Sequence, residues 1–199
     1  MHIYWYGQTS VKIQDNGTTI VIDPYKEVNI KSPRMAADVL LLTSDKLKAA
    51  ASSISGDKFV VSSPGEYEAE GIFINGVSSI GNGETFYYMD VNGITVGHLG
   101  NTTKAQLSGK QLEMFENVDI LFIPVGEDAK AAAKLVNQIE PKIVIPIFYK
   151  IPKIKTKLDT LENFKKQIGV KEETVDKLVI KKKDIPQEEM RMIILKPQY

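Results

Sequence analysis

Two hydrophobic patterns divide the chain. Near its start, apolar and polar residues alternate, so that His2–Tyr6, Ser10–Gln14 and Thr18–Ile22 each predict a strand with one buried face. Gly7-Gln8 reads as a bend, and Asp15-Asn16-Gly17 as a tight hairpin, because Asn and Gly tolerate positive φ. The third strand stops at Asp23-Pro24. Further on, short continuous apolar runs take over. Asp38–Leu42, Lys58–Ser62, Val118–Val125 and Lys142–Ile147 predict strands buried on both faces. Between them, Tyr67–Glu70 and Ile72–Ile74 alternate as strands, Asn75–Glu84 reads as a glycine-rich loop, and Thr85–Val91 pairs with Ile94–His98 around Asn92-Gly93.

Helical periodicity appears in four places. Asp45 to about Ser53 is expected to form a helix capped by Asp45, and Ser108 with Gln111 has the spacing of a capping box for a helix ending near Glu116. Asp128–Ile139 carries an apolar stripe at Ala132, Leu135, Val136 and Ile139, and Leu158–Ile168 is the last helix. Strands are expected near Lys177–Lys181 and Met190–Leu195. Strands first, then alternating strands and helices, predict an α/β architecture: two packed sheets with helices outside, a four-layer αββα sandwich. The expected organisation is one domain over residues 1–199, with 157–199 adding the helix and strands that complete it.

Composition changes the picture only where ligand-bearing residues are counted. With 43% apolar and 25% charged residues, the 199-residue chain has the makeup of an ordinary soluble protein. A formal net charge of zero gives no bulk pull toward nucleic acid or an anionic membrane. No apolar run approaches a membrane span, and MHIYWYGQTS lacks the pattern of a signal peptide, so a cytoplasmic protein without a membrane partner is expected. Zero cysteines exclude disulfides, thiol catalysis and cysteine-bound metals. Two histidines, His2 and His98, would leave any metal site to Asp and Glu, which suit magnesium, calcium or manganese.

Five segments in order, IVIDPY, ADVLLLTS, PGEYEAEGIFINGVSS, GHLGNT and DAKAAAKLVNQIEPKIVIPIFYK, resemble the metallo-β-lactamase fold. Within it the chain is similar to a small bacterial and archaeal branch of predicted metal-dependent hydrolases, related to ascorbate-6-phosphate lactonase-like proteins. The resemblance runs from Tyr4 to about Ile180 and implies a site along one edge of the two sheets. It also implies where metal ligands should stand. The family's His-x-His-x-Asp-His signature falls on Ser44, Lys46, Lys48 and Ala49. Its next histidine falls near Gly81, its bridging aspartate on Asn101 and its final histidine on Phe148. No ligand position keeps its ligand.

On that comparison zinc or another divalent metal is not expected, since a catalytic zinc needs three protein ligands and the lysines add repulsion. The leading expectation is a non-catalytic binding or scaffold protein, with an unknown protein or small-molecule ligand and self-association as its partners. One alternative is a hydrolase-family enzyme using a non-standard site drawn from Asp23, Asp45, Glu66 or Asn101. Another is a nucleic-acid-binding module using the basic C-terminal region, where residues 142–183 hold twelve lysines against five acidic residues. That span has no arginine and few aromatics, so nucleic acid is not favoured as partner and a solvated surface is expected. Lys46 or Lys48 could balance Asp23 and Asp45, or simply point to solvent. His98 is expected to be a hydrogen-bonded core residue, Asp23 to support the turn after its strand, and Glu66, Glu68 and Glu70 to share a solvated acidic face.

Overall fold

The computed structural model describes residues 1–25, 34–80, 83–101, 107–152 and 156–198. The N-terminal half contains β1 (His2–Trp5), β2 (Val11–Asp15), β3 (Thr18–Ile22), β4 (Met35–Ala36), β5 (Val39–Leu41), α1 (Lys48–Ala51), β6 (Ile54–Ser55), β7 (Phe59–Val61), β8 (Gly65–Ala69) and β9 (Ile72–Ser78). There follow β10 (Thr85–Val91), β11 (Ile94–His98), α2 (Gly109–Phe115), β12 (Ile120–Pro124), α3 (Ala129–Ile139) and β13 (Ile143–Ile147). The chain closes with α4 (Leu161–Ile168), β14 (Glu172–Val175), β15 (Leu178–Val179) and β16 (Arg191–Leu195).

Two mixed sheets result. One has the order β15-β1-β2-β3-β5-β7, the other β14-β16-β13-β12-β11-β10-β9-β8. Alternation in β1–β3 turns Ile3, Trp5, Val11, Ile13, Ile20 and Ile22 inward, where they pack with Phe86, Met89, Val96 and Phe122 of the second sheet. The runs in β12 and β13 are fully buried because the second sheet is covered on both faces, by the first sheet and by α3, whose apolar stripe lies on β12. A smaller cluster of Tyr6, Val21, Met35, Ala37, Leu40, Leu42 and Ile54 covers the outer face of β3 and β5. This is the αββα sandwich expected from the element order.

Departures are local and have causes. Asp45 does not cap a helix: Asp45–Leu47 is a 3₁₀ turn running into a single turn at α1, and no side chain caps it. The expected Asn75–Glu84 loop starts later, because β9 continues through Gly76. A Cβ at Gly76 would lie 3.0 Å from both the Ser63 carbonyl and the Thr85 methyl, so that glycine serves close packing, not a turn. β14, with the sequence Glu-Glu-Thr-Val, carries no apolar alternation because it is an exposed edge strand supported only by β16. The Ser108–Gln111 capping box forms as expected.

Candidate functional site

β3 and β5 run parallel in the first sheet, as do β11, β12 and β13 in the second, so their C-terminal ends meet along one edge of the sandwich. Polar residues just past such strand ends are where an α/β sheet builds sites. Asp23 follows β3, Thr43 follows β5, His98 ends β11 and Phe148 follows β13. The β1–β2 turn, Tyr6–Ser10, closes over the same edge.

Asp23 is fully buried and serves the loop after β5. Its carboxylate accepts the Thr43 N–H at 2.7 Å and the Thr43 hydroxyl at 2.6 Å, and Thr9 bonds it as well. Burial nevertheless dominates and pushes its acid up to about 6. Gly100 presses on Thr43 from the other side: a Cβ there would sit 3.2 Å from both Thr43 Cβ and Oγ1. The Thr43 carbonyl accepts the Thr85 N–H at 2.8 Å, which ties the two sheets together at this point. Tyr87 adds a second tie, donating to the Leu42 carbonyl at 2.8 Å.

His98 is a second buried ionisable group at this edge. Its Nδ1 accepts the Gly100 N–H at 3.2 Å, which leaves the proton on Nε2, 3.0 Å from the Thr9 carbonyl. Burial pushes the imidazole down to about 4, so it is neutral at physiological pH. With both nitrogens committed it is a structural crosslink, as its sequence context suggested. Thr9 links the two groups, its side chain on Asp23 and its carbonyl on His98.

Backbone strain collects here too. Gln8, Asp23 and Phe148 all have φ near +50° without being glycine, and the Phe148 N–H donates to the Gln8 carbonyl at 3.0 Å. Each such residue costs on the order of 1–3 kcal/mol, and a bulky phenylalanine there is a true outlier. In the same turn, Gln8 Oε1 and Ser10 Oγ are buried without a hydrogen-bond partner among the described residues. Assigned from its hydrogen-bonding surroundings, the Asn101 amide turns its nitrogen toward both carboxylate oxygens of Glu84. Asn101 and Phe148 thus lie at the edge as the sequence indicated. Gln8, Thr9, Ser10, Thr43 and Glu84 were missed as site residues, and only Thr43, the first polar residue after a buried run, carried a signal for it.

The remaining sequence candidates lie elsewhere or do less. Gly81 is outside the described residues. Ser44 leads into the short turn, and Ala49 is exposed on α1. Lys48 pairs with Asp45 at 2.8 Å in solvent, Lys46 is exposed, and neither appears among the partners of Asp23. Glu66 and Glu68 are exposed on β8, and Glu70 turns the chain at φ 53°. Among the described residues no three His, Cys, Asp or Glu side chains come together to hold a metal ion. The residues outside the description add one carboxylate, Glu27, and no histidine or cysteine.

A four-layer sandwich with its polar residues gathered at the parallel-strand edge is a metallo-β-lactamase fold. The chain belongs to the beta-lactamase superfamily: residues 2–148 match its domain. A UPF0173 metal-dependent hydrolase from Lysinibacillus sphaericus is 29% identical over 198 residues, spanning 75% of this chain and 85% of that protein. Another from Anoxybacillus flavithermus is 25% identical over 194 residues, spanning 75% and 86%. A solved structure from Thermotoga maritima, described as a candidate Zn-dependent hydrolase of the metallo-β-lactamase superfamily, matches with a TM-score of 0.86. Its identity is 27% and the match covers 99% of each chain.

Those relatives overturn two expectations from the sequence. A non-catalytic binding or scaffold protein is not what a chain among metal-dependent hydrolases is, and the expectation that zinc or another divalent metal does not belong with it fails on the same names. The repulsion argument fails physically as well, because Lys46 and Lys48 stand in solvent and Asp45 neutralises Lys48. The donors themselves do not fit the family's histidine-rich site. Asp23 and His98 are already bonded, and the edge offers oxygen donors in their place.

Proposed function

We propose that this chain is a hydrolase of the superfamily, working at the edge that carries the Asp23–Thr43 and Glu84–Asn101 pairs. The observation that carries the reading is the Glu84–Asn101 pair at the position of the family's bridging aspartate. A carboxylate oriented by an amide is equipped to take a proton from water as that water attacks an ester or phosphoester centre, the proton then passing to the leaving oxygen. Asp23 supports this work without performing it, since its oxygens are spent holding Thr43. Family membership supports hydrolysis as the reaction class. The absence of cysteine, and of any described helix long and apolar enough to cross a membrane, is compatible with a cytoplasmic setting for it.

The test is a hydrolysis screen on purified protein with carboxylic-ester, lactone and phosphodiester substrates. It is run as isolated and with added manganese, magnesium or zinc, alongside elemental analysis. Turnover above the buffer rate, reduced about tenfold or more in Glu84→Gln, is expected. Failure to turn over any class with any ion defeats the reading.

A further inference from the structure

The outer face of the first sheet is covered only in part. The cluster around Leu40, Leu42 and Met35 covers β3 and β5 and reaches Tyr4 of β1, whereas further out on β15, β1 and β2 the same face shows His2 exposed, Val179 55% exposed and Lys12 and Gln14 half-buried. On that face the register sets side chains in rows. Tyr4 stands opposite Lys12, and His2 opposite both Gln14 and Val179. Continuing the β1–β15 register places Lys177 on the far side of Tyr4. The Lys12 ammonium lies 4.5 Å from the Tyr4 ring centre and the Lys177 ammonium 5.9 Å from it.

Tyr4 therefore holds two cations within one side chain's reach, and neither forms an ion pair among the described residues. An ammonium over a ring keeps its charge. The nearby acids are spent: Asp15 on the N-terminal ammonium at 2.9 Å, Asp176 on Lys196 at 3.1 Å, and Asp184 on the Lys181 N–H at 3.0 Å. Exposed Lys181 and Lys183 extend the positive strip past the end of β15. The next row over opens a recess of about 370 Å³ lined by Met1, Gly17 and the hydrogen-bonding side chains of His2, Gln14, Asn16, Thr18 and Thr19, with the Asp15 carboxylate, paired to the N-terminal ammonium, also on its wall. From the sequence the lysines of 142–183 read as solvated surface. Pairing of β15 with β1 is what brings one of them against Tyr4 and Lys12.

We propose that this half-sheet binds single-stranded nucleic acid. The lysine–tyrosine–lysine row meets the phosphates, and the polar recess accepts a base edge. A partly exposed sheet face, with cations in no ion pair among the described residues and hydrogen-bonding side chains beside them, suits an extended polyanion with polar rings, and it lies apart from the proposed hydrolase edge.

Fluorescence anisotropy with labelled oligothymidine and oligouridine of about twelve nucleotides tests this. Binding near 10⁻⁵ M is expected at about 100 mM salt, with affinity falling steeply as salt rises. Lys12→Gln with Lys177→Gln should weaken binding about tenfold or more and flatten the log–log salt slope by about 1.4, since each lost phosphate contact removes about 0.7. Tyr4→Phe should bind like the parent and Tyr4→Ala weaker, with melting temperatures confirming folded variants. Equal displacement by polyglutamate or phosphatidylserine vesicles, equal affinity for a mononucleotide, or an unchanged double variant would each overturn the proposal.

Discussion

The two buried ionisable groups at the edge make opposite demands on pH, and that opposition can be measured. His98 is held down at about 4 against an ordinary 6.5, so the unfolded chain binds its proton first as pH falls. Its contribution to stability is complete above about 6.5 and is lost on going down to about 4. Asp23 is held up at about 6 against 3.8, so the folded chain keeps its proton longer as pH rises. Its contribution is complete below about 3.8 and is lost on going up to about 6. At about 1.4 kcal/mol for each pH unit over which one proton is traded, each group moves stability by about 3 kcal/mol. Between about pH 4 and 6 the two nearly cancel.

Single substitutions should unmask what the pair conceals. Asp23→Asn leaves His98 alone, and stability relative to wild type should climb by about 3 kcal/mol from pH 4 to 6. His98→Gln leaves Asp23 alone, and relative stability should fall by a similar amount over the same range. The double variant should return to a profile parallel with wild type, even if lower throughout. Urea unfolding followed by Trp5, the sole tryptophan and fully buried, provides the readout. The acids held below their ordinary range, Asp15 and Asp159, titrate alike in every variant and drop out of the differences. Difference profiles that stay flat, or that slope the same way in both single variants, would refute the assignment of these two groups.

Other substitutions probe the frame around the edge. Tyr87→Phe removes the hydroxyl that bonds the Leu42 and Val61 carbonyls, and chemical denaturation should show a loss of about 1–3 kcal/mol. Gly97→Ala would push a methyl to within 3.0 Å of Leu121 and Phe115, and overpacking of about 1–3 kcal/mol should appear in the same assay. Lys48→Ala should change stability by less than about 0.5 kcal/mol and leave hydrolysis untouched, because its pairing with Asp45 lies in solvent. A large effect on activity would return that lysine to the site.

The fold was legible where burial alone decides structure. Continuous runs such as Ile120–Pro124 and Ile143–Ile147 can only be strands covered on both faces, and Asn16-Gly17 and Asn92-Gly93 fix their hairpins by backbone chemistry. β14 was not legible, because an exposed edge strand built on glutamates carries no periodic signal of its own. Its strand state comes from pairing with β16, twenty residues further along the chain.

The site was half legible for a related reason. Position along the chain located the edge, since Asp23, Asn101 and Phe148 all follow buried strands, but it could not say which side chains would meet there. Substitution at every ligand position of the resemblance implies loss of the metal-binding histidines and bridging aspartate, and the names of the relatives overturn the step from there to loss of hydrolytic chemistry. What took their place depends on contacts between loops 14 to 89 residues apart: Thr43 folded onto Asp23, Thr9 spanning Asp23 and His98, and Glu84 turned toward Asn101. Strain makes the same point independently. Three non-glycine residues, Gln8, Asp23 and Phe148, are held near φ +50° along this one edge by contacts that the local sequence does not announce. Gln8 Oε1 and Ser10 Oγ, buried in the same turn without a partner among the described residues, belong to that same strained stretch of edge.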